Sequence, residues 1–521
     1  MASKRFFQTT AIDYPNSRPH IGTAFEKLGA DVQARYRRME GDEVFFLMGN
    51  DENTVKVSKR AAELGQDVKV YCDDMTRQFK EVWDALDISY DTFVQTSEER
   101  HHHCCRAFAQ KVYDNGFIRK GSYEGWYCEG CESFKTEKEL QNGCCPLHPK
   151  TVAVRRSEPC YFFEQSKFQE RLLQYYDEHP NFIQPESRRN EIVAIVKEGL
   201  QDLNITRRGE KWGVRVPWDE EFTLYVWFDA LLTYITGIGY GTDQAQFEKW
   251  WPADIHFIGK DITRFHCATW PAMLMAAGLQ PPKMVFGHGF VYKKNVETGE
   301  IERESKTLGN VTDPMKLITD FNSEAFRYYF LRECPYPGDG EYSLARFVSV
   351  YNADFANNLG NLYSRLVTLI AKNFDGELPQ TAGTKARSIE GLNAETAVAQ
   401  VRAHVEACQY NQALEKIWRQ LLDPANQYAD KQAPWKLVKT DKSAAGAVLF
   451  DLLEPLRAAV ILLKPFIPRS AKVIYESFSF PVAWDEVKFA DAAQSATYDG
   501  NVRLLAALED GKVKPLFPRL T

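Results

Sequence analysis

The chain has 521 residues, more than one hydrophobic core accommodates, so about two to four domains are expected. With 44% hydrophobic and 26% charged residues it has a globular composition, and no window approaches the roughly 18 apolar residues of a membrane span. A net charge of −7 excludes a uniformly basic nucleic-acid binder while leaving room for a local basic face.

The opening, MASKRFFQTTAIDY, enters a strand-like run almost at once. It leaves no room for a signal or transit segment, so a cytoplasmic location is expected, with no membrane partner. RFFQTTAIDY reads as a strand, PNSRP as a turn and GTAFEKLGADVQARYRRM as a helix. A second apolar strand, DEVFFLMGND, ends at Gly49-Asn50-Asp51, and helix resumes at Glu52. Such alternation predicts a parallel α/β sheet of Rossmann-like type, with ligands at the carboxyl ends of its strands. His20, Gly22 and Asp51 fall at or just after such ends.

From residue 118 the chain becomes loop-rich and cysteine-rich, which predicts an inserted domain over 118–218 within a catalytic domain of 1–117 and 219–321. FTLYVWFDALLTYITGI and DIHFIGKDITRFHCATWPAML each run from strand into helix, and MVFGHGFVYKK reads as a further strand. Helical patterning then dominates: a linker over 322–360 precedes an all-α bundle over 361–521.

Eleven cysteines are present, five of them within 128–160. Cys128-x2-Cys131, thirteen residues, then Cys145-x2-His148 gives two short-spaced ligand pairs suited to a closed, structural tetrahedral Zn2+ site. Cys144 competes with Cys145 as the third ligand, and free loop cysteines are the plain alternative.

Two polar segments suggest phosphate chemistry. In PHIGT, a helix N-terminus offers unpaired N–H groups, Gly22 allows close backbone approach and His20 supplies a donor. A histidine beside a helix start also serves as a cap. In RESKTLGN, Lys306 can meet charge developing on pyrophosphate, or is simply a solvated loop lysine.

Taken together, PHIGT after the first strand and SKTLGN after the last resemble the HIGH and KMSKS signatures of the class I aminoacyl-tRNA synthetases. TTAIDYPN, FLMGNDEN, GLQDLNITR, YVWFDALLTY, HFIGKDITRFHCATWPAML, NNLGNLYSR and QAPW narrow the resemblance to the methionyl-tRNA synthetase family over residues 5 to about 470. The resemblance implies ATP-dependent activation of L-methionine and transfer to methionine tRNA, with Mg2+ accompanying ATP.

It places methionine against Ala11, Ile12, Tyr14, Trp227, Ala230, Leu231, Tyr234, Ile262, His266 and Trp270, with Asp51 facing the substrate ammonium. Positions 227, 230, 231 and 234 share one helical face, and 262, 266 and 270 another; such stripes also suit a plain core. ATP falls to His20, Gly22, Glu26, Gly259, Asp261, Arg303 and Lys306, and anticodon reading to Asn357, Asn361, Arg365 and Trp435. The catalytic residues so implied are His20, Thr23 and Lys306. Trp435 follows Pro434, so packing at a helix start is its other role.

Four departures stand out. Thr23 occupies the position of a second histidine, Arg303-Glu304 replaces Lys-Met, Asn53 replaces a histidine, and Asp13 sits where an aromatic residue or proline is common. Asp13 is a potential competitor for the substrate ammonium. They leave two alternatives: a tRNA-binding paralogue with impaired catalysis, or a ligase for a related amino acid. The absence of an appended C-terminal domain implies a monomer.

Overall fold

The computed structural model describes residues 4–128, 133–135, 137, 140, 142–146, 148–294, 301–302, 312–379, 385–506, 508–509 and 512–520. A six-stranded, all-parallel sheet forms the catalytic half. Its strands are β1 (Arg5–Thr10), β2 (Glu43–Asn50), β3 (Thr92–Gln95), β4 (Ile183–Gln184), β5 (Ile255–Gly259) and β6 (Val285–His288). In space they run β3-β2-β1-β5-β6-β4. The chain winds outward from β1 on one side and returns on the other, so β1 and β5 flank the switch point where such sheets hold ligands.

Helix α1 (Ile21–Met39) connects β1 to β2 and is buried along most of its length. Its buried Asp31 meets Arg35 at 2.8 Å and Arg327 at 2.7 Å. The Arg327 guanidinium also donates to the carbonyls of Leu86, Pro465 and Phe466, so one buried cation ties the signature helix to the bundle. Breaking such a pair from one side leaves an uncompensated buried charge.

The predicted insertion does not fold as one separate unit. Strands Ile118–Cys128 and Val154–Phe163 form a long antiparallel hairpin outside the main sheet. Within the same segment, however, β4 pairs with β6 at the edge of the catalytic sheet. Phe182 and Ile183 are buried there, and apolar cover on β6 outweighs continuity with the insertion.

Beyond residue 322 helices dominate, including Gly360–Phe374, Ala394–Glu406 and the almost wholly buried Lys442–Leu463. The all-α expectation stops at Glu476. From Ser477 onward the described residues form a 3-10 turn and two-residue strands, one of them pairing with Glu377–Leu378. Pro481, Gly500, Pro515 and Pro518 punctuate this segment and deny it helix.

Candidate active site

At the carboxyl ends of β1, β2, β5 and β6 lies a cavity of about 310 Å3. It gathers Ala11, Ile12, Tyr14, Asp51, Trp227, Ala230, Leu231, Tyr234, Ile262 and His266 with His20, Gly22, Thr23, Glu26, Gly259 and Asp261. Residues separated by up to 255 positions thus share one wall system, which helical spacing alone did not guarantee.

One end is aromatic. The Trp227 and Phe265 rings stack in parallel at 3.9 Å. Nδ1 of His266 donates to the Ile262 carbonyl at 3.1 Å, leaving Nε2 to accept from the Tyr234 hydroxyl at 2.7 Å. Burial pushes the His266 imidazole down to about 4, so the ring is neutral. Trp270 is not in the cavity wall: fully buried, it donates to Nε2 of His256 at 3.3 Å and packs behind Tyr234. The reason is a π-helical turn over Phe265–Thr269, which shifts the face defined by 262 and 266 away from 270.

Among the described residues, the same end is acidic without a counterion. Asp51 is held by its backbone, which donates to the Asp13 carbonyl at 2.8 Å. Its carboxyl oxygen Oδ1 is buried with no hydrogen-bond partner. Burial and the Glu52 carboxylate push the Asp51 carboxyl well above the usual carboxylate range. Asp229 lies close by and is raised by burial and by Asp51; Asn53 Nδ2 donates to it at 3.1 Å and to the Thr96 carbonyl at 2.9 Å. Asn53, in the place of a histidine, brings a hydrogen bond but no positive charge.

The other end is charged and compensated. His20 caps α1: its Nδ1 accepts from the N–H groups of Gly22 at 3.1 Å and Thr23 at 3.2 Å, so the ring's proton lies on Nε2. A Cβ at Gly22 would come within 3.0 Å of the His20 ring, so glycine preserves the cap. Capping and phosphate donation are therefore compatible roles for the two ring nitrogens. Thr23 opens onto the cavity from the first turn.

Glu26 receives Lys27 Nζ at 2.6 Å and faces His288 Nε2 at 3.0 Å. Lys27 is fully buried; its ammonium also reaches the Ala11 carbonyl at 2.7 Å and Asp13 at 3.1 Å. Burial opposes charge on both Lys27 and Glu26, but their mutual attraction, with Asp13 and His288, wins and keeps both ionised. Asp13 thus lines the cavity as the partner of Lys27 rather than as an uncompensated acid.

Sequence reasoning missed the wall after β6, formed by His288, Gly289, Phe290, Val291 and Tyr292. MVFGHGFVYKK carried a strand signal but nothing to show that its middle turns into the crevice. Lys306, Arg303, Glu304 and Cys131 lie outside the described residues, as do the side chains of Cys128, Cys145 and His148. The backbone register nevertheless pairs Cys128 with Ser133 and Cys145 with His148 across two hairpins. Asn357 lies in the π-helical stretch Tyr351–Leu359, and Asn361 and Arg365 lie one turn apart on the helix Gly360–Phe374 that follows it. The Arg365 guanidinium lies 4.8 Å from the Trp435 ring centroid and 2.9 Å from Asp430.

A doubly wound parallel sheet, a switch-point cavity and a helix N-terminus capped by histidine at its mouth define the catalytic half of a class I aminoacyl-tRNA synthetase. The family model described as tRNA synthetases class I (M) matches residues 6–160 and 136–367. The model for the anticodon binding domain of methionyl tRNA ligase matches residues 379–501. The methionine--tRNA ligase of Caldanaerobacter subterraneus subsp. tengcongensis is 43% identical over 93% of this chain and 76% of its own length. That of Nostoc sp. is 39% identical over 100% of this chain and 98% of its own. Mycobacterium tuberculosis methionyl-tRNA synthetase in complex with methionyl-adenylate matches with a TM-score of 0.88 at 36% identity, covering 99% of this chain and 100% of that one. The chain belongs to the methionyl-tRNA synthetase family, and its activity is that of a methionine–tRNA ligase.

Proposed function

We propose that the aromatic end of the cavity binds L-methionine and the compensated end binds ATP, so that both steps of ligation occur at the mouth of β1 and β5. The observation that carries the assignment is Asp51: a buried carboxyl at the cavity wall with an unpartnered oxygen is a socket for an ammonium. Trp227, Tyr234, Ile262 and the neutral His266 then enclose a flexible thioether, which neither needs nor tolerates charge. Ala11, Ile12, Tyr14, Ala230 and Leu231 complete this wall, and Trp270 supports it from behind.

The methionine carboxylate oxygen attacks the α-phosphorus as the bond to pyrophosphate breaks, giving methionyl-adenylate. The terminal adenosine of methionine tRNA then attacks the acyl carbon and AMP leaves. Neither step uses an enzyme nucleophile, so orientation and charge stabilisation supply the rate. The N–H groups at the start of α1, the Nε2–H of His20 and the Thr23 hydroxyl are assigned to phosphate oxygens. Gly22, Glu26, Gly259 and Asp261 are assigned to the rest of the nucleotide. Lys306 and Arg303 are assigned to pyrophosphate on their motif alone, and Mg2+ enters as part of the ATP substrate.

Asn357, Asn361, Arg365 and Trp435 are assigned to the anticodon, a base stacking where the guanidinium and indole already form one platform. The two hairpins that pair Cys128 with Ser133 and Cys145 with His148 suit a knuckle in which Zn2+ would hold three thiolates and an imidazole, fixing a segment with little core. No helix among the described residues is long and apolar enough to cross a membrane. We place the enzyme in the cytoplasm, where ATP, methionine and tRNA meet, as a monomer, since one chain carries both sites.

Methionine-dependent ATP–pyrophosphate exchange tests the proposal. Exchange with methionine and not with leucine or homocysteine is expected; tRNA binding without exchange would instead select a non-catalytic paralogue.

A further inference from the structure

The wall after β6 does not stand by itself. Gly289 donates its N–H to the Tyr336 carbonyl at 3.0 Å, and Gly340 donates to the Phe290 carbonyl at 2.8 Å. A Cβ on Gly289 would lie 1.8 Å from the Gly338 carbonyl oxygen, so the wall is pressed flat against the turn that follows helix Ser323–Glu333. Where this turn leads into the strand Gly340–Tyr342 stands Asp339. Its Oδ1 accepts the Phe290 N–H at 2.9 Å, and its carboxylate takes Lys260 Nζ at 2.7 Å on both oxygens. The Lys260 ammonium in turn sits 4.7 Å from the Phe290 ring centroid.

Lys260 lies between Gly259 and Asp261, which line the cavity from the end of β5; Phe290 lines it from the end of β6. One carboxylate therefore clamps together two cavity segments on adjacent strands, yet is itself absent from the cavity wall. The amino-acid end is built from β1, β2 and the 227–234 and 262–266 segments, none of which Asp339 touches through its side chain.

We infer that Asp339 is a positioning residue for ATP: by holding Lys260 and the Phe290 N–H at once, it sets the gap between the β5 and β6 walls into which the nucleotide fits. The inference rests on the assignment of ATP to this end of the cavity. A strut of this kind acts on nucleotide binding before the methionine site, because the hydrogen bonds of its carboxylate go to Lys260 and to the Phe290 N–H.

The test is steady-state ATP–pyrophosphate exchange on the full chain. Asp339→Ala removes both contacts and is expected to raise the KM for ATP about tenfold, the worth of a charge-assisted hydrogen bond, with the KM for methionine changed less than about twofold. Asp339→Asn keeps an oxygen for the Phe290 N–H and loses the charge for Lys260, so a rise of about threefold is expected. Lys260→Met leaves the Asp339–Phe290 bond intact and should match Asp339→Asn. An unchanged KM for ATP, or equal rises for both substrates as a general loss of structure would give, overturns the strut. If Asp339→Ala does not fold, the Asp339→Asn and Lys260→Met pair decides by the same split between the two KM values. Absence of exchange in the unmutated chain would sink the assignment of ATP itself, and is thus distinct from failure of the strut, which leaves wild-type exchange intact.

Discussion

The two ends of the cavity both contain buried carboxyls and treat them in opposite ways. At the end proposed for nucleotide Glu26 and Asp13 share the Lys27 ammonium, and His288 faces Glu26 from β6. At the end proposed for the amino acid Asp51 and Asp229 have each other for company, with the uncharged Asn53 alongside. The first arrangement is scaffold: its charges are satisfied before any substrate arrives. The second holds, among the described residues, buried carboxyls with no cation beside them, which an incoming ammonium would neutralise. A buried acid thus signals binding when its counterion is missing and architecture when the counterion is present.

The sharpest break is Lys27→Met. It strands two buried carboxylates, so unfolding by denaturant should show a loss of about 3–5 kcal/mol, the cost of opening a buried pair from one side. A loss below about 1 kcal/mol would mean that Asp13 and Glu26 simply take up protons and that the scaffold reading is wrong. Asp51→Asn should do the reverse. It removes a charge that burial penalises, so stability holds or rises, while kcat/KM for methionine falls about hundredfold for want of the ammonium partner. Unimpaired exchange would move the ammonium elsewhere.

The contrast also sets two pH slopes of opposite sign. Burial alone would raise Asp31, but Arg35, Arg327 and the Ser89 hydrogen bonds hold it at about 2. Its folded value lies below its unfolded one, so its contribution, about 2 kcal/mol, is complete above pH ~4 and is lost as pH falls toward about 2. Asp51 and Asp229 are raised, so their contribution is complete below the unfolded value near ~4 and is lost as pH rises. Urea unfolding across pH should therefore show Asp31→Asn flattening the acid limb and Asp51→Asn flattening the decline above it. Parallel curves for the two variants would erase the distinction.

Much of the cavity was legible in the residues because signature segments sit at strand ends, and parallel α/β topology brings such ends together. What escaped has particular physical causes. Trp270 continues the 262–266 stripe on paper, but the π turn over Phe265–Thr269 changes the helical period on which the stripe depends. The Asp13–Lys27 pair joins a strand exit to a helix interior, a distance no helical or strand period encodes. The strand Ile183–Gln184 is two residues long, too short for any pattern to mark, and only the exposed flank of β6 determines where it docks. Asp339 lies 49 residues from one partner and 79 from the other, in what reads as a turn ahead of the bundle.

The smallest expected effect tests the end proposed for nucleotide at the departure in its first signature. Thr23 stands in the first turn of α1, its N–H already given to His20 Nδ1 and its side chain opening on the cavity. An imidazole there would add a longer donor beside His20 without disturbing the cap, since the cap uses only the backbone of residue 23. Removing a donor that acts in the transition state costs roughly 10²-fold or more where the donor is preorganised. The gain on restoring one is smaller, because the α1 N–H groups and the Nε2–H of His20 already serve the same phosphate. Thr23→His should accordingly speed single-turnover adenylate formation by about threefold to tenfold, with the KM for ATP unchanged. A rate equal to that of the unmutated chain would show that the compensated charges around Glu26 and Lys27 have made the second histidine superfluous.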